Sequence, residues 1–169
     1  STLDHCLPKA KHPALAVTPV NLIPCCKDCN HNKGTLGPNS SETQFLHAYY
    51  DDLTADRWLF AEIVEASPPG AVFFVSPPDQ WDDSTAARVQ RHFDELKLAR
   101  LYASQAGRQL QNIRRSLSNI LDAAGTIAVR DDLIQRSQSC AAVGVNSWDG
   151  ALYEAASQSD WYCNGGFRQ

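Results

Sequence analysis

The chain has no methionine, even at its first position, and no run approaching the ~20 consecutive apolar residues of a membrane-spanning helix. The second absence excludes a membrane-spanning helix within these residues. The first, with a motif that begins almost at once, predicts that position 1 is not the native start and that a preceding segment is missing, by cleavage or otherwise. No signal peptide is visible, and no internal repeat or low-complexity run interrupts the sequence. Charged residues make up only 20% of the 169, and the net charge of -4 argues against a generic nucleic-acid coat protein. What is present is ordinary for a folded protein: 43% apolar residues, and enough length for a real core. The six cysteines are uneven, with four of them between Cys6 and Cys29. That crowding points to metal chemistry rather than a disulfide framework, and so to a reducing compartment, the bacterial cytoplasm.

The charge is also uneven. Residues 1–34 carry four Lys against two Asp, and residues 101–136 five Arg against three Asp, whereas residues 35–100 carry five basic and eleven acidic groups. The two basic stretches are candidates for phosphate contact, and the bland alternative is a pair of solvated faces.

The chemistry concentrates in the first of them. Asp4 and His5 are adjacent, and on an extended strand neighbours point to opposite faces. An Asp oxygen suits a hard divalent ion such as magnesium. A histidine suits a general base that takes a proton from water. Cys26 and Cys29 have the spacing of half a tetrahedral zinc site, which would fasten a turn to the start of a helix. Asn30, near that helix start, could add its carbonyl oxygen to Asp4 on a metal. Lys33, three residues on, shares a face with Asn30 and could reach a phosphate. Lys9 and Lys11 lie in the loop between the motif parts, where they too could touch phosphates.

In order, Asp4-His5-Cys6-Leu7-Pro8, Asn21-Leu22 and Cys26-Lys27-Asp28-Cys29-Asn30-His31-Asn32-Lys33 resemble the HNH family of nucleases, also called ββα-metal or His-Me finger enzymes. The resemblance covers about a fifth of the chain and is silent on the remainder. It implies that His5 is the general base, that Asp4 and Asn30 hold a catalytic Mg2+ or Mn2+, and that Asn21 braces the loop aiming His5. It also implies a structural Zn2+ on Cys26 and Cys29. Zinc-stabilised members carry a second C-x-x-C shortly before the Asp-His pair, and none stands before Asp4 here. The expectation is that two further thiolates precede Ser1. The alternative is that Cys6, Cys25, Cys140 or Cys163 completes the site. His31 is a possible additional ligand.

The remaining sequence is read from pattern. Gly34 and Pro38 end the motif helix, and Ser41 caps a turn through Phe45–Asp52, where His47, Tyr49, Tyr50, Asp51 and Asp52 cluster. Trp58–Glu65 and Ala71–Ser76 read as strands flanking a Pro-Pro-Gly turn, although the first could extend a helix. Helices are expected over 84–96, over 97–123 with Gly125 as terminator, over 127–139 and over 147–158. Arg88, Arg91, Arg100, Arg108, Arg114 and Arg115 could track a nucleic-acid backbone or form internal ion pairs. Trp161, Tyr162 and Phe167 are expected to pack. The expected class is α+β: an N-terminal ββα-metal finger at 1–38, then a small hairpin and a mainly helical accessory region at 39–169.

The expected activity is metal-dependent hydrolysis of phosphodiester bonds, in DNA before RNA. The alternatives are a non-catalytic zinc-finger module that binds nucleic acid or protein, and a delivered antibacterial DNase toxin. Partners would be DNA and an ATPase or sensor subunit of an anti-phage defence system, without membrane involvement.

Overall fold

Residues 2–5 and 22–25 are short, yet their pairing sets everything at the site. In the computed structural model, which describes residues 2–38, 40 and 43–169, β1 (Thr2–His5) runs antiparallel to β2 (Leu22–Cys25). The register sets Thr2 opposite Cys25, Asp4 opposite Ile23 and His5 opposite Leu22. Pleating therefore separates the Asp4 and His5 side chains. α1 (Lys27–Lys33) follows directly. Its N-cap is Cys26, whose Sγ accepts the Cys29 N–H at 3.2 Å, and Asp28 in its first turn suits the helix dipole. Gly34 closes it at φ +51°, a conformation that favours glycine. The order β1, β2, α1 is the expected ββα arrangement.

The chain divides into two compact units. The first contains this finger and extends to Leu53, then resumes at Pro77–Leu98. It thus reaches well past the expected boundary at 38. Its second helix, α2 (Asp83–Glu95), begins at Asp82, whose carboxylate accepts the Thr85 N–H at 2.8 Å. Val89 and Phe93 are buried on it, as helical spacing predicts. Asn32 of α1 donates to the Leu96 carbonyl at 2.8 Å, joining the finger to the end of α2. Phe45 is buried in this unit, 4% exposed, with the Arg91 guanidinium over its ring. The predicted turn at 45–52 is present, with the Asp51 N–H donating to the His47 carbonyl at 3.0 Å. The predicted Ser41 cap lies outside the described residues.

The second unit combines Thr54–Ser76 with Ala99–Gln169. β3 (Leu59–Val64) and β4 (Gly70–Val75) form an antiparallel hairpin from Leu59 opposite Val75 to Val64 opposite Gly70. Within the predicted Trp58–Glu65 segment, Leu59–Val64 is thus strand and not helix, and the hairpin buries Leu59 from β3 and Ala71 and Phe73 from β4. Asn146 clamps its entry, accepting the Trp58 and Leu59 N–H groups at 2.8 and 3.1 Å and donating to the Asp56 carbonyl at 2.8 Å. α3 (Leu98–Ala141) carries the core stripe Ala106, Leu110, Ile113, Leu117, then Val129 and Leu133. It is interrupted at Gly125, φ +80°, so its two arms are the two helices expected on either side of that glycine. α4 (Trp148–Gln158) and the short α5 (Asp160–Cys163) complete the unit. Tyr162 and Phe167 are 0% and 1% exposed and meet edge-to-face at 5.3 Å, so they pack as expected. The class is α+β, with two small antiparallel sheets and a mainly helical C-terminal part. Among the described residues no helix is long and apolar enough to cross a membrane.

Candidate functional site

The loop from Cys6 to Asn21 decides where His5 sits. Two 3₁₀ turns, Pro13–Leu15 and Pro19–Asn21, give it a fixed course. Its neck is closed by Asn21, which is only 5% exposed. The Asn21 Oδ1 accepts the Leu7 N–H at 2.7 Å, and its Nδ2 donates to the Leu7 and Leu15 carbonyls, both at 3.1 Å. The Asn21 carbonyl accepts the Cys6 N–H at 2.9 Å. One side chain therefore satisfies three backbone groups that a tight loop would otherwise strand. A carboxamide offers an acceptor oxygen and two N–H donors together, which these three bonds use.

The braced loop presents the Ala16 carbonyl to His5. The His5 Nε2 lies 3.0 Å from that oxygen. A carbonyl only accepts, so Nε2 carries the proton, and Nδ1 of the neutral ring is left with its lone pair. The ring is partly exposed. The Ala16 carbonyl has no sequence signature, since any residue supplies one, and pattern reading could not have found it.

Asp4 faces different company. Its Oδ1 accepts the His5 N–H at 2.8 Å, and its Oδ2 lies 2.9 Å from the Lys33 Nζ. Both side chains are nearly sealed, with 6% of Lys33 and 12% of Asp4 exposed. Lys33 also donates to the His5 carbonyl. The expectation that Lys33 contacts a phosphate is therefore not met. The lysine is buried because α1 packs on β1, and helical spacing specifies a face, not a depth. Asn30 donates its amide to the Thr2 Oγ1 at 3.1 Å and the Leu3 carbonyl at 3.4 Å, so it ties α1 to β1. Lys9 and Lys11 are exposed in the loop. Arg88 and Arg91 take the internal-pair alternative, with Asp51 and Glu95 respectively.

These donors can be tested against the expected ions. Each Asp4 oxygen has one donor, and a carboxylate oxygen offers about two lone-pair directions. The Asn30 nitrogen is committed, which leaves its carbonyl oxygen as the ligating atom. One carboxylate and one amide oxygen on adjoining elements fit Mg2+, which keeps several waters and takes few protein ligands. Cys26 and Cys29 stand together, but among the described residues no group of three or more His, Cys, Asp or Glu gathers to hold a metal. Cys6, Cys25, Cys140, Cys163 and His31 therefore do not complete the expected zinc site there. Cys163 instead lies 3.4 Å from the Ala156 carbonyl as a packed thiol. Burial, then the neighbouring Cys26, pushes the Cys29 thiol up to about 12, so without a cation it stays protonated at neutral pH. A cavity of about 390 Å³ in the first unit is lined by Cys25, Cys26, Cys29, Phe45 and His92 among others.

No protein-family model matches the chain, and no solved structure matches it. It is similar to Protein ea31 of Escherichia phage lambda, at 33% identity over 114 residues, a match that covers 66% of this chain and 38% of that protein. The matched region is thus well under half of that relative's length.

Proposed function

We propose that this chain carries the active centre of a metal-dependent endonuclease of the HNH type, which hydrolyses phosphodiester bonds in DNA in the bacterial cytoplasm. One observation carries the reading: the His5 Nε2 donates to Ala16, held by a loop that Asn21 closes. That arrangement fixes the tautomer and orientation of a partly exposed imidazole, as a general base requires. His5 takes the proton from water at Nδ1. Asp4 and Asn30 would hold Mg2+ or Mn2+, which when bound supplies a Lewis acid for charge on the phosphate oxygens. Asp4 also accepts the His5 backbone N–H, so strand and base move as one body. Lys9 and Lys11, exposed in the loop, would meet phosphates outside the centre. The test is plasmid nicking with Mg2+ or Mn2+, with and without chelator. Metal-dependent nicking is expected, lost in His5→Ala with no change in fold, and cleavage by that variant at matched metal refutes the role.

A second reading has its own support. The Lys33 ammonium lies on Asp4 and neutralises it without an ion. A binding module that has given up catalysis would retain that buried pair. Gel shifts without nicking favour it.

A further inference from the structure

The outer edge of β2 is covered by a short aromatic segment. The His47 Nε2 donates to the Val20 carbonyl at 3.0 Å, and the His47 Nδ1 accepts the Tyr49 N–H at 3.3 Å. The Tyr49 hydroxyl donates to the Leu22 carbonyl at 3.1 Å. The Tyr50 ring lies against His47 with centroids 4.6 Å apart and planes 39° apart. Behind them, Asp51 accepts the His47 N–H at 2.7 Å and is gripped by Arg88 of α2 through two hydrogen bonds. Every one of these groups belongs to the first unit.

Such anchoring is usual for buried aromatic residues, yet these are open. Tyr50 is 69% exposed and Tyr49 53%, while Val20, whose carbonyl His47 holds, is 48% exposed. The polar atoms of His47 and Tyr49 are spent on the backbone, so the rings are presented to solvent in fixed positions. Val20 and Leu22, the two residues they grip, flank Asn21, and Leu22 is the register partner of His5. The loop that Asn21 closes carries exposed Lys9, Lys11 and His12 and, from Cys6 to Asn21, no acidic residue.

We propose that Tyr49, Tyr50 and His47 form a stacking platform for an unpaired base of single-stranded DNA, whose phosphates run past Lys9 and Lys11. A duplex hides its base faces in its own stack, so an open π surface finds a counterpart only on a strand with free bases. Hydrogen bonds hold the His47 and Tyr49 rings and Tyr50 lies against His47, so the set loses little freedom on binding. The inference deepens the endonuclease reading, because it names the strand state beside His5, but binding to the platform needs no cleavage.

The test uses the full chain as His5→Ala, without added divalent ion, and a fluorescein-labelled strand of about 15 nucleotides, matching single-strand site sizes. Anisotropy titrations compare the strand with its blunt duplex. The single strand is expected to bind about tenfold tighter, and Tyr50→Ala to lose about tenfold on the single strand alone, the worth of one base stack. Tyr50→Trp is expected to retain binding. Tyr50 is exposed, so the variant keeps its thermal melt. Equal affinity for strand and duplex, or single-strand affinity unchanged in Tyr50→Ala, overturns the proposal. A chain that never nicks DNA but shows the preference refutes only the nuclease reading. A chain that nicks without the preference refutes only the platform.

Discussion

Asn21→Ala separates the brace from the base it serves. The substitution removes bonds of 2.7, 3.1 and 3.1 Å from a side chain only 5% exposed. At a net value of about 1 kcal/mol each, the loop neck loses roughly 3 kcal/mol. Some returns, because the freed Leu7 and Leu15 groups are partly buried rather than sealed and can meet water. A loss of about 2–3 kcal/mol corresponds to about a 30- to 160-fold larger open population of the loop. The direct assay is hydrogen exchange at the Leu7 and Cys6 amides, whose acceptors are the Asn21 Oδ1 and the Asn21 carbonyl. Exchange should accelerate there far more than at the Leu59 amide, which Asn146 holds in the second unit. Asn21→Asp sharpens the point. It keeps the acceptor for Leu7 and sets an oxygen against two carbonyls, so it should open the neck at least as much as Ala at neutral pH. Unchanged exchange at Leu7 in Asn21→Ala would refute the brace. Unchanged nicking despite a loosened neck would break its link to His5.

Two further outcomes follow from buried charge. Lys33→Met leaves the Asp4 carboxylate buried without its cation, at a cost of about 3–5 kcal/mol; added Mg2+ should raise the melting temperature of the variant more than that of the wild type, and equal responses would remove Asp4 as a metal ligand. Burial pushes His92 down to about 4, against the pull of Asp51, and its Nδ1 has no hydrogen-bond partner among the described residues. The folded pKa lies below the ordinary 6.5, so the unfolded chain binds the extra proton and stability falls as pH drops from 6.5 toward 4. The loss is about 3 kcal/mol, read by urea unfolding across that range. A His92→Gln variant should flatten the slope, and a slope unchanged in it would assign the acid sensitivity elsewhere.

The elements that local pattern could express were legible. Val89, Phe93 and Leu96 announced α2, and Leu110, Ile113 and Leu117 the first arm of α3, because period and burial coincide there. Gly125 was legible as a break since its φ of +80° is a glycine conformation. The order of Asp4, His5, Asn21 and Asn30 led to one ββα element because the motif spans few residues. Depth was not legible. Lys33 reads as a surface cation at its helical position, and only the packing of α1 on β1 turns it inward. Nor was partnership over distance: nothing around Asp51 specifies Arg88, and nothing around Trp58 specifies Asn146, since each bond depends on where another segment returns.

That return has a consequence for how the chain is made. The first unit is assembled from two stretches separated by the β3–β4 hairpin, which belongs to the second. As the polypeptide leaves the ribosome, Asp4, His5 and Asn30 emerge early, but the Asp51 carboxylate waits for Arg88 and the Asn32 amide for Leu96. The hairpin, synthesised meanwhile, waits longer still for Asn146. The finger therefore emerges before the residues that complete its unit, and a fragment ending at Leu53 would lack the helix that holds its aromatic segment in place.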